Sequence, residues 1–236
     1  MSELVLVRHG QASFGEESYD KLSETGLRQM QVLAQYWQQT GERFDAVFSG
    51  ELRRQIETAS ILLPMVSGSP DRPTVLSALN EYSGSPLIDI YLRDHAAEDG
   101  FAPEVRSRLH ERKVFQQVFE AATARWINHQ LQPGQEDIEF ETWPDFQHRV
   151  HDTIAGLIRE CGSGQQLLLS TSGGVIALAV QYVLGLSDAQ AMAMNWTINN
   201  SSITRIRFGG GRISLALFNG LAHLERPEFK ELITFR

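Results

Sequence analysis

The stretch Leu4-Val5-Leu6-Val7-Arg8-His9-Gly10 does most to decide the fold of this chain. Four branched apolar residues in a row predict a strand buried on both faces, as in the middle of a parallel sheet. The strand ends in a cation, an imidazole and a flexible glycine, and open α/β sheets bind ligands at the carboxyl ends of their strands. An imidazole beside a guanidinium suits a histidine nucleophile that attacks a phosphoryl group. A lone histidine at a strand end is more often structural, so this hypothesis needs support from elsewhere in the chain.

Length and composition fit a single globular α/β domain. The chain has 236 residues, of which 42% are hydrophobic and 21% are charged. A net charge of −8 at pH 7 argues against a general polyanion-binding surface. We therefore expect no nucleic-acid partner, and we expect any phosphate recognition to come from a local basic pocket.

The cysteine count and the apolar segments bear on the cellular compartment of the protein. Cys161 is the only cysteine, which leaves no intrachain disulfide and no cysteine-based metal site. The first apolar run is too short for a secretory signal, so we expect a cytoplasmic protein. Residues Leu167–Leu186 carry no charge over about a membrane span, but the serines and glycines among them favour a buried strand, a turn and a buried helix. We expect no association with a membrane.

The remaining elements complete an α/β pattern. Ser23 is placed to cap a helix that Gly41 ends, and Ala46–Ser49 predicts a second buried strand. Near the C-terminus, Ser202–Phe208 and Arg212–Phe218 flank three glycines and predict a hairpin. The pattern predicts a three-layer α/β/α fold with a mostly parallel mixed sheet and an antiparallel edge hairpin.

The middle of the chain interrupts the alternation of strands and helices. Glycines and prolines predict an irregular stretch over Tyr82–Pro103, and apolar spacing predicts one long amphipathic helix over Glu104–His129. We interpret residues 82–137 as a helical cap insertion that covers the sheet edge, within a single domain of residues 1–236.

A second basic segment, Ser49–Ala59, opens a helix directly after the second predicted strand. Backbone N–H groups at a helix start favour anions, and the planar guanidinium of Arg54 can hold two phosphoryl oxygens. From this segment alone, Arg53 and Arg54 could equally be solvated surface charges.

At this point the chain resembles the histidine phosphatase superfamily, which includes the cofactor-dependent phosphoglycerate mutases. The matching motifs occur in family order over nearly the whole length: Arg8-His9-Gly10; Leu22-Ser23-x-x-Gly26; Ser49-x-x-Leu52-x-Arg54-x-x-x-Thr58-Ala59; Leu79-x-Glu81 followed by Gly84; Glu141-Thr142-Trp143 through Arg149-Val150; Asn200-Ser201-Ser202-Ile203; and Asn219-Gly220-x-x-His223-Leu224.

The resemblance implies a role for each matched site residue. His9 would be the nucleophile that forms a phosphohistidine, and Arg8 and Arg54 would bind the transferring phosphoryl group. Glu81 would be the general acid that protonates the leaving oxygen and later activates water; the alternative is a loop carboxylate that caps a turn. The remaining candidates are Ser172 and Gly173 for the phosphate, and Gln11, Ser13 and His223 for the rest of the substrate. Substrate selection would fall to the cap and to the loop of residues 11–19.

Ser172 departs from the family pattern, which normally has a second histidine directly before the paired glycines. Serine keeps a hydrogen-bond donor there but loses the positive charge and some reach. Three accounts stay open. The pocket is modified but active; another histidine, His223 or His95, supplies the donor; or the protein binds phosphorylated ligands without turnover.

The sequence therefore predicts a phosphatase that hydrolyses a small phosphomonoester through a phosphohistidine on His9. Mutase-type phosphoryl transfer and a catalytically impaired phospholigand-binding protein are the alternatives. The chemistry needs no cofactor and no metal. His148 and His151 have a spacing that could hold a metal, but no third ligand is evident. The oligomeric state and the natural substrate do not follow from the sequence.

Overall fold

A computed structural model describes residues 1–13, 20–68 and 70–235. Within these residues six strands form one mixed sheet, which confirms the predicted fold class. The strands are β1 (Ser2–Arg8), β2 (Ala46–Ser49), β3 (Thr74–Val75), β4 (Gln166–Thr171), β5 (Ile203–Gly209) and β6 (Arg212–Gly220). Their order across the sheet is β3-β2-β4-β1-β5-β6.

The first four strands are parallel, and the last two add an antiparallel edge. β4 lies between β1 and β2 and pairs parallel with both, and β3 pairs parallel with β2. β5 runs antiparallel to β1, and β6 returns beside β5 as the predicted hairpin. Gly209, Gly210 and Gly211 all have positive φ in its turn, a conformation that glycine adopts without strain.

The central strand is buried on both faces. Val5 and Val7 belong to the core cluster that also contains Leu33 of helix α1 (Glu24–Thr40) and Leu62 of helix α2 (Arg53–Leu62). Because side chains alternate along a strand, Leu4 and Leu6 face the other way, and they too are fully buried. Helix α6 (Gly173–Leu184) packs against β1 and β6. The two buried faces explain the unbroken apolar run in the sequence.

The remaining helices are α3 (Gly84–Asp94), α4 (Arg112–Ile127), α5 (Trp143–Glu160) and α7 (Asp188–Asn195), and short 3-10 helices cover Leu63–Met65, Ser77–Leu79, Pro103–Arg108 and Pro227–Leu232. The predicted caps of α1 are confirmed. The Ser23 side chain accepts a hydrogen bond from the backbone N–H of Gly26, and Gly41 ends the helix with a left-handed φ of 75°.

The chain divides into two compact units. One unit contains Met1–Glu81 and Arg149–Arg236 and holds the sheet, and the other contains Tyr82–His148. The core of the second unit is aromatic, and Trp126 makes ring contacts with Tyr82, Trp143 and Phe146. That the insertion of residues 82–137 acts as a cap stays a prediction.

Two expectations for this second unit are wrong. The stretch Tyr82–Pro103 contains helix α3, because Gly84 and Pro86 fall within its first turn. The N–H groups of a first turn have no intrahelical acceptor, so proline costs little there. The predicted helix Glu104–His129 is divided into a 3-10 helix over Pro103–Arg108 and helix α4.

No helix of the described residues is both long enough and apolar enough to cross a membrane. The uncharged stretch Leu167–Leu186 forms β4 and α6, as the sequence predicted.

Candidate active site

Three parallel strands end at the same edge of the sheet, and the candidate residues follow these ends. In the sheet register Arg8 of β1 lies beside Thr171 of β4, and Ser49 of β2 lies beside Ser170. His9 and Ser172, which follow β1 and β4, therefore leave neighbouring strands at the same level.

Hydrogen bonds fix the position and tautomer of His9, which is only 6% exposed. Its backbone N–H donates to the Thr171 carbonyl at 2.9 Å, and Arg54 Nε donates to His9 Nε2 at 3.2 Å. A guanidinium can only donate, so Nε2 is the unprotonated nitrogen. The proton then lies on Nδ1, which is 2.7 Å from the Gly10 carbonyl oxygen and donates to it. The imidazole presents a lone pair on Nε2.

The surroundings favour the neutral form of this ring. Burial lowers the pKa of His9 well below the usual 6.5, and the charges of Arg54 and then Arg8 lower it further, against a smaller opposing effect of the Gly10 carbonyl. A neutral imidazole is the form that can act as a nucleophile.

The backbone on either side of His9 is held by close packing and by a polar segment near the C-terminus. A Cβ atom on Gly10 would lie 2.5 Å from the Gly26 carbonyl oxygen, so only glycine fits there. Asn200 Nδ2 donates to the His9 carbonyl at 3.3 Å, and the backbone N–H of Ser201 donates to the Arg8 carbonyl at 3.0 Å.

Asp20 pairs with the arginine that faces His9. Its Oδ1 accepts from Arg54 at 2.5 Å, and its Oδ2 accepts from the backbone N–H of Arg53 at 2.8 Å. The side chain of Arg54 is 12% exposed and that of Asp20 is 41% exposed. Asp20 thus fixes one nitrogen of the guanidinium at the start of helix α2, while another faces the imidazole.

Arg8 is anchored from the C-terminal half of the chain. Its guanidinium donates to the carbonyls of Ile198 and Phe235. A Cβ atom on Gly173 would lie 3.8 Å from Arg8 Cζ and 2.5 Å from Asn195 Oδ1. The absence of a side chain at Gly173 therefore leaves room for the Asn195 side chain, and the Arg8 guanidinium lies near this first residue of α6.

Glu81 reaches the same helix start, where its Oε2 accepts from the backbone N–H of Gly174 at 3.0 Å. The chain before Glu81 is held at several points. One guanidinium nitrogen of Arg149 donates to the carbonyls of Ala78 and Asn80, both at 2.9 Å. The Asn80 side chain also exchanges two hydrogen bonds with Glu51.

Ser172 is 1% exposed, and its Oγ lies 2.9 Å from Nε2 of the fully buried Gln55. The same amide nitrogen donates to the Leu79 carbonyl at 3.0 Å, which also accepts from Thr171 Oγ1 at 2.7 Å. Gln55 therefore links helix α2, the segment before Glu81 and the end of β4.

The predicted substrate-binding residues have other contacts. Gln11 accepts from Ser23 Oγ through its side chain, and the backbone N–H of Ser13 donates to Lys21, so both lie near the start of α1. His223 is 1% exposed, its Nε2 is 2.9 Å from Ser201 Oγ, and burial lowers its pKa to about 4. That His223 supplies the donor missing at Ser172 stays a prediction. The rest of the predicted recognition loop, residues 14–19, lies outside the described residues.

Sequence reasoning missed Asp20, Gln55 and Arg149 as contributors to the site. Asp20 lies in a polar loop, and Gln55 is an unremarked polar residue beside Arg54. Arg149 was part of a matched motif, but its contacts with Ala78 and Asn80 depend on a fold that brings α5 back to this segment. No spacing rule signals any of the three.

Across residues 1–13, 20–68 and 70–235, no three or more His, Cys, Asp or Glu side chains group closely enough to hold a metal ion. Arg8 and Arg54, whose charges lower the pKa of His9, provide guanidinium groups that could hold an anion beside the ring.

Comparison with solved structures shows a shared fold. A phosphoserine phosphatase mutant from Entamoeba histolytica in complex with phosphoserine is 15% identical, with a TM-score of 0.62 over 95% of this chain and 100% of that chain. A mycobacterial glucosyl-3-phosphoglycerate phosphatase is 22% identical, with a TM-score of 0.58 over 93% and 99%. A phosphoglycerate mutase from Bacillus anthracis is 17% identical, with a TM-score of 0.63 over 94% of each chain.

A family model provides the stronger evidence, since it matches residues 4–99 and 95–220 and so covers most of the chain. The matched residues include His9, Arg54, Glu81 and Ser172, which surround the edge of the sheet described above. The chain belongs to the histidine phosphatase superfamily, branch 1.

Proposed function

We propose that this protein hydrolyses a small phosphomonoester through a phosphohistidine on His9. The observation that carries the proposal is the 3.2 Å approach of Arg54 Nε to His9 Nε2, on an imidazole whose other nitrogen is engaged by the Gly10 carbonyl. An unprotonated nitrogen next to a guanidinium provides a nucleophile and a binding group for the phosphoryl oxygens at one place.

In the first half of the proposed reaction, the Arg54 Nε–H donates to a phosphoryl oxygen of the substrate instead of to His9 Nε2. The freed Nε2 lone pair then forms a bond to phosphorus as the ester P–O bond breaks. Arg8 and Arg54 neutralise the charge on the phosphoryl oxygens, and the Ser172 hydroxyl adds a hydrogen bond. Glu81 gives its proton to the departing oxygen, so the product leaves as an alcohol rather than as an alkoxide.

In the second half, water attacks the phosphorus of the phosphohistidine. The Glu81 carboxylate takes a proton from this water, and the P–N bond breaks with its electrons returning to Nε2. Inorganic phosphate leaves, and both His9 and Glu81 regain their starting forms. No cofactor enters this sequence of steps.

Rapid quenching into alkali with labelled p-nitrophenyl phosphate tests the proposal. Label should be trapped on the peptide that contains His9 and released as inorganic phosphate at the steady-state rate. The His9→Ala variant should trap none, because it has no nucleophile. The exposed His148 provides a matched control, and His148→Ala should trap label as the unchanged protein does.

The other functions predict different outcomes of the same experiment. A mutase needs a substrate with a second hydroxyl group, so the quench is repeated with a labelled phosphomonoester that carries one. Return of the label to an isomer of that ester, without release of phosphate, would indicate a mutase. Binding of a phosphorylated ligand with neither label nor turnover across a broad substrate panel would indicate a sensor and would refute the proposal.

A further inference from the structure

Gln55 occupies the space next to the serine that departs from the family pattern. It is fully buried on helix α2, one residue after Arg54. Its amide nitrogen has two contacts, with the Leu79 carbonyl at 3.0 Å and with Ser172 Oγ at 2.9 Å. These two contacts decide how the amide is oriented and what Ser172 can do.

The Leu79 carbonyl can only accept a hydrogen bond, so the amide atom that faces it must be the NH₂ group. Both of its protons are then used, one toward Leu79 and one toward Ser172. Ser172 Oγ therefore accepts from Gln55, and its own proton has to go elsewhere. Within the described residues Gln55 is the partner of this hydroxyl, which leaves the proton available to a bound group.

Both sequence neighbours of Ser172 lie close to residues of the proposed phosphoryl site. The preceding residue, Thr171, accepts from the backbone N–H of His9, and the following residue, Gly173, lies against the Arg8 guanidinium. A donor between these two positions is suited to an oxygen of a phosphoryl group that is attached to His9 and held by Arg8.

The amide oxygen of Gln55 is in a less favourable position than the amide nitrogen. Gln55 Oε1 is buried without a hydrogen-bond partner among the described residues. A buried, unsatisfied acceptor is destabilising, so the gain must come from the two donors. Gly50 makes the arrangement possible, since a Cβ atom there would lie 1.9 Å from Oε1.

We propose that Gln55 is a positioning residue, which orients the Ser172 hydroxyl as a hydrogen-bond donor to the transferring phosphoryl group. The inference rests on the proposed function, since it assigns a role in that reaction. It also explains how the site can work with a serine in place of the second histidine.

Gln55→Glu tests the proposal with a nearly isosteric side chain. A carboxylic acid has one hydrogen-bond proton where the amide NH₂ has two. That single proton is donated to the Leu79 carbonyl. The facing oxygen then accepts from Ser172, which turns the serine proton away from the phosphoryl group. Gln55→Met is the second variant, because it removes both donors without the possibility of a buried charge.

The variants are combined with Ser172→Ala in a double-mutant cycle. We expect Ser172→Ala and Gln55→Glu each to lower kcat/KM for p-nitrophenyl phosphate by about 10²-fold, as for loss of one oxyanion donor. The double variant should lie within about twofold of the worse single variant, because Gln55 acts through Ser172. Gln55→Met should lose activity only where Ser172 is present. Independent, multiplied losses would overturn the proposal.

Ligand binding separates this positioning role from a general structural one. Calorimetry should show that the single variants bind orthovanadate, which adopts the trigonal-bipyramidal geometry of phosphoryl transfer, much more weakly. Their binding of inorganic phosphate should change less. Equal losses for both anions would contradict the inference. Gln181, a buried glutamine farther along α6 that donates to Asp188, provides the control, and Gln181→Ala should leave both affinities unchanged.

The two proposals fail in distinguishable ways. A wild-type protein without turnover and without label on His9 refutes the proposed function, while the comparison of orthovanadate and phosphate binding still reports on Gln55. A wild-type protein that turns over and shows additive losses in the cycle refutes the role of Gln55 alone.

Discussion

His9 faces the guanidinium groups of Arg8 and Arg54 from a position where little water reaches the ring. Two nearby cations and burial act in the same direction, because each disfavours a charged imidazole. The single opposing contact, from the Gly10 carbonyl, selects the tautomer. The residues that we propose to bind the phosphoryl oxygens thus also favour the neutral form of the proposed nucleophile.

This electrostatic arrangement gives a prediction for the titration of His9. Its pKa in the folded protein should lie well below 6.5, so the ring should be neutral at pH 6.5 with a proton on Nδ1. Replacing Arg54 with methionine removes a cation and should raise the pKa. Nitrogen-15 NMR of the imidazole measures both the tautomer and the titration, with the signal assigned by its loss in His9→Ala. A ring that titrates at or above 6.5, or a fall in pKa in the Arg54 variant, would contradict this account.

At the scale of elements, the segment before Glu81 is fixed by partners from three parts of the chain. Gln55 and Thr171 bind the Leu79 carbonyl, and Arg149 of α5 binds the carbonyls on either side of it. Glu81 itself meets the start of α6. A general acid must lie within reach of one oxygen atom, and these contacts restrict the backbone that carries Glu81, the proposed acid.

Leaving-group dependence tests this role of Arg149. An alkyl phosphate needs a proton on its leaving oxygen, whereas p-nitrophenolate leaves readily without one. Arg149→Lys keeps the charge but loses the paired contacts, so kcat for β-glycerophosphate should fall by about 10- to 10²-fold, with a much smaller loss for p-nitrophenyl phosphate. Glu81→Gln should show the same pattern more strongly.

The control for this prediction lies on the same helix. Arg159 of α5 is 74% exposed, and Arg159→Lys should leave both rates unchanged. An Arg149→Lys variant with equal losses of kcat on both substrates would show that the contacts of Arg149 affect something other than proton transfer.

The sequence predicts a helix or strand end correctly wherever a single residue type or a short local pattern determines it. Ser23 and Gly41 carry the chemistry of the two ends of α1, and three consecutive glycines can only make a turn between β5 and β6. The prediction of an irregular stretch is wrong at α3, because Gly84 and Pro86 lie in the first turn of the helix, where both residues are tolerated.

At the scale of the whole molecule, the sequence could indicate the sheet edge but not the contacts that cross it. Arg8, His9 and Arg54 lie at or shortly after the ends of buried strands, and the carboxyl ends of parallel strands meet at one edge of a sheet, so the sequence favours their convergence there. Asp20, Gln55 and Arg149 act through contacts between segments that are far apart in sequence. Such contacts depend on how helices and loops pack in three dimensions, and no local propensity encodes them.

His223 is a residue whose contacts depend on the three-dimensional fold and could not be inferred from the local sequence. It was predicted to contact substrate, but it is buried against Ser201, whose backbone holds the chain at Arg8. Its Nδ1 is buried without a hydrogen-bond partner among the described residues. The buried imidazole therefore supports the segment that contacts the backbone of Arg8 and His9, and it does so in the neutral form.

This burial predicts a specific loss of stability in acid. The pKa of His223 falls from 6.5 in the unfolded chain to about 4 in the folded protein, so the unfolded state binds the proton more readily. The stabilisation is complete above pH 6.5 and is lost as the pH falls toward 4. His223→Gln removes this titration. Between pH 7.5 and 4.5 the wild-type protein should therefore lose about 2 to 3 kcal/mol more unfolding free energy than the variant.

Urea unfolding of both proteins at the two pH values measures this difference. Carboxylates and the other histidines, including His9, titrate in both proteins and cancel in the comparison. His223→Gln should be the less stable protein at pH 7.5, and the gap should narrow or close at pH 4.5. A gap that is the same at both pH values would mean that His223 is protonated or solvated in the folded state. The segment Asn200–Ser202 would then need another support beneath Arg8 and His9.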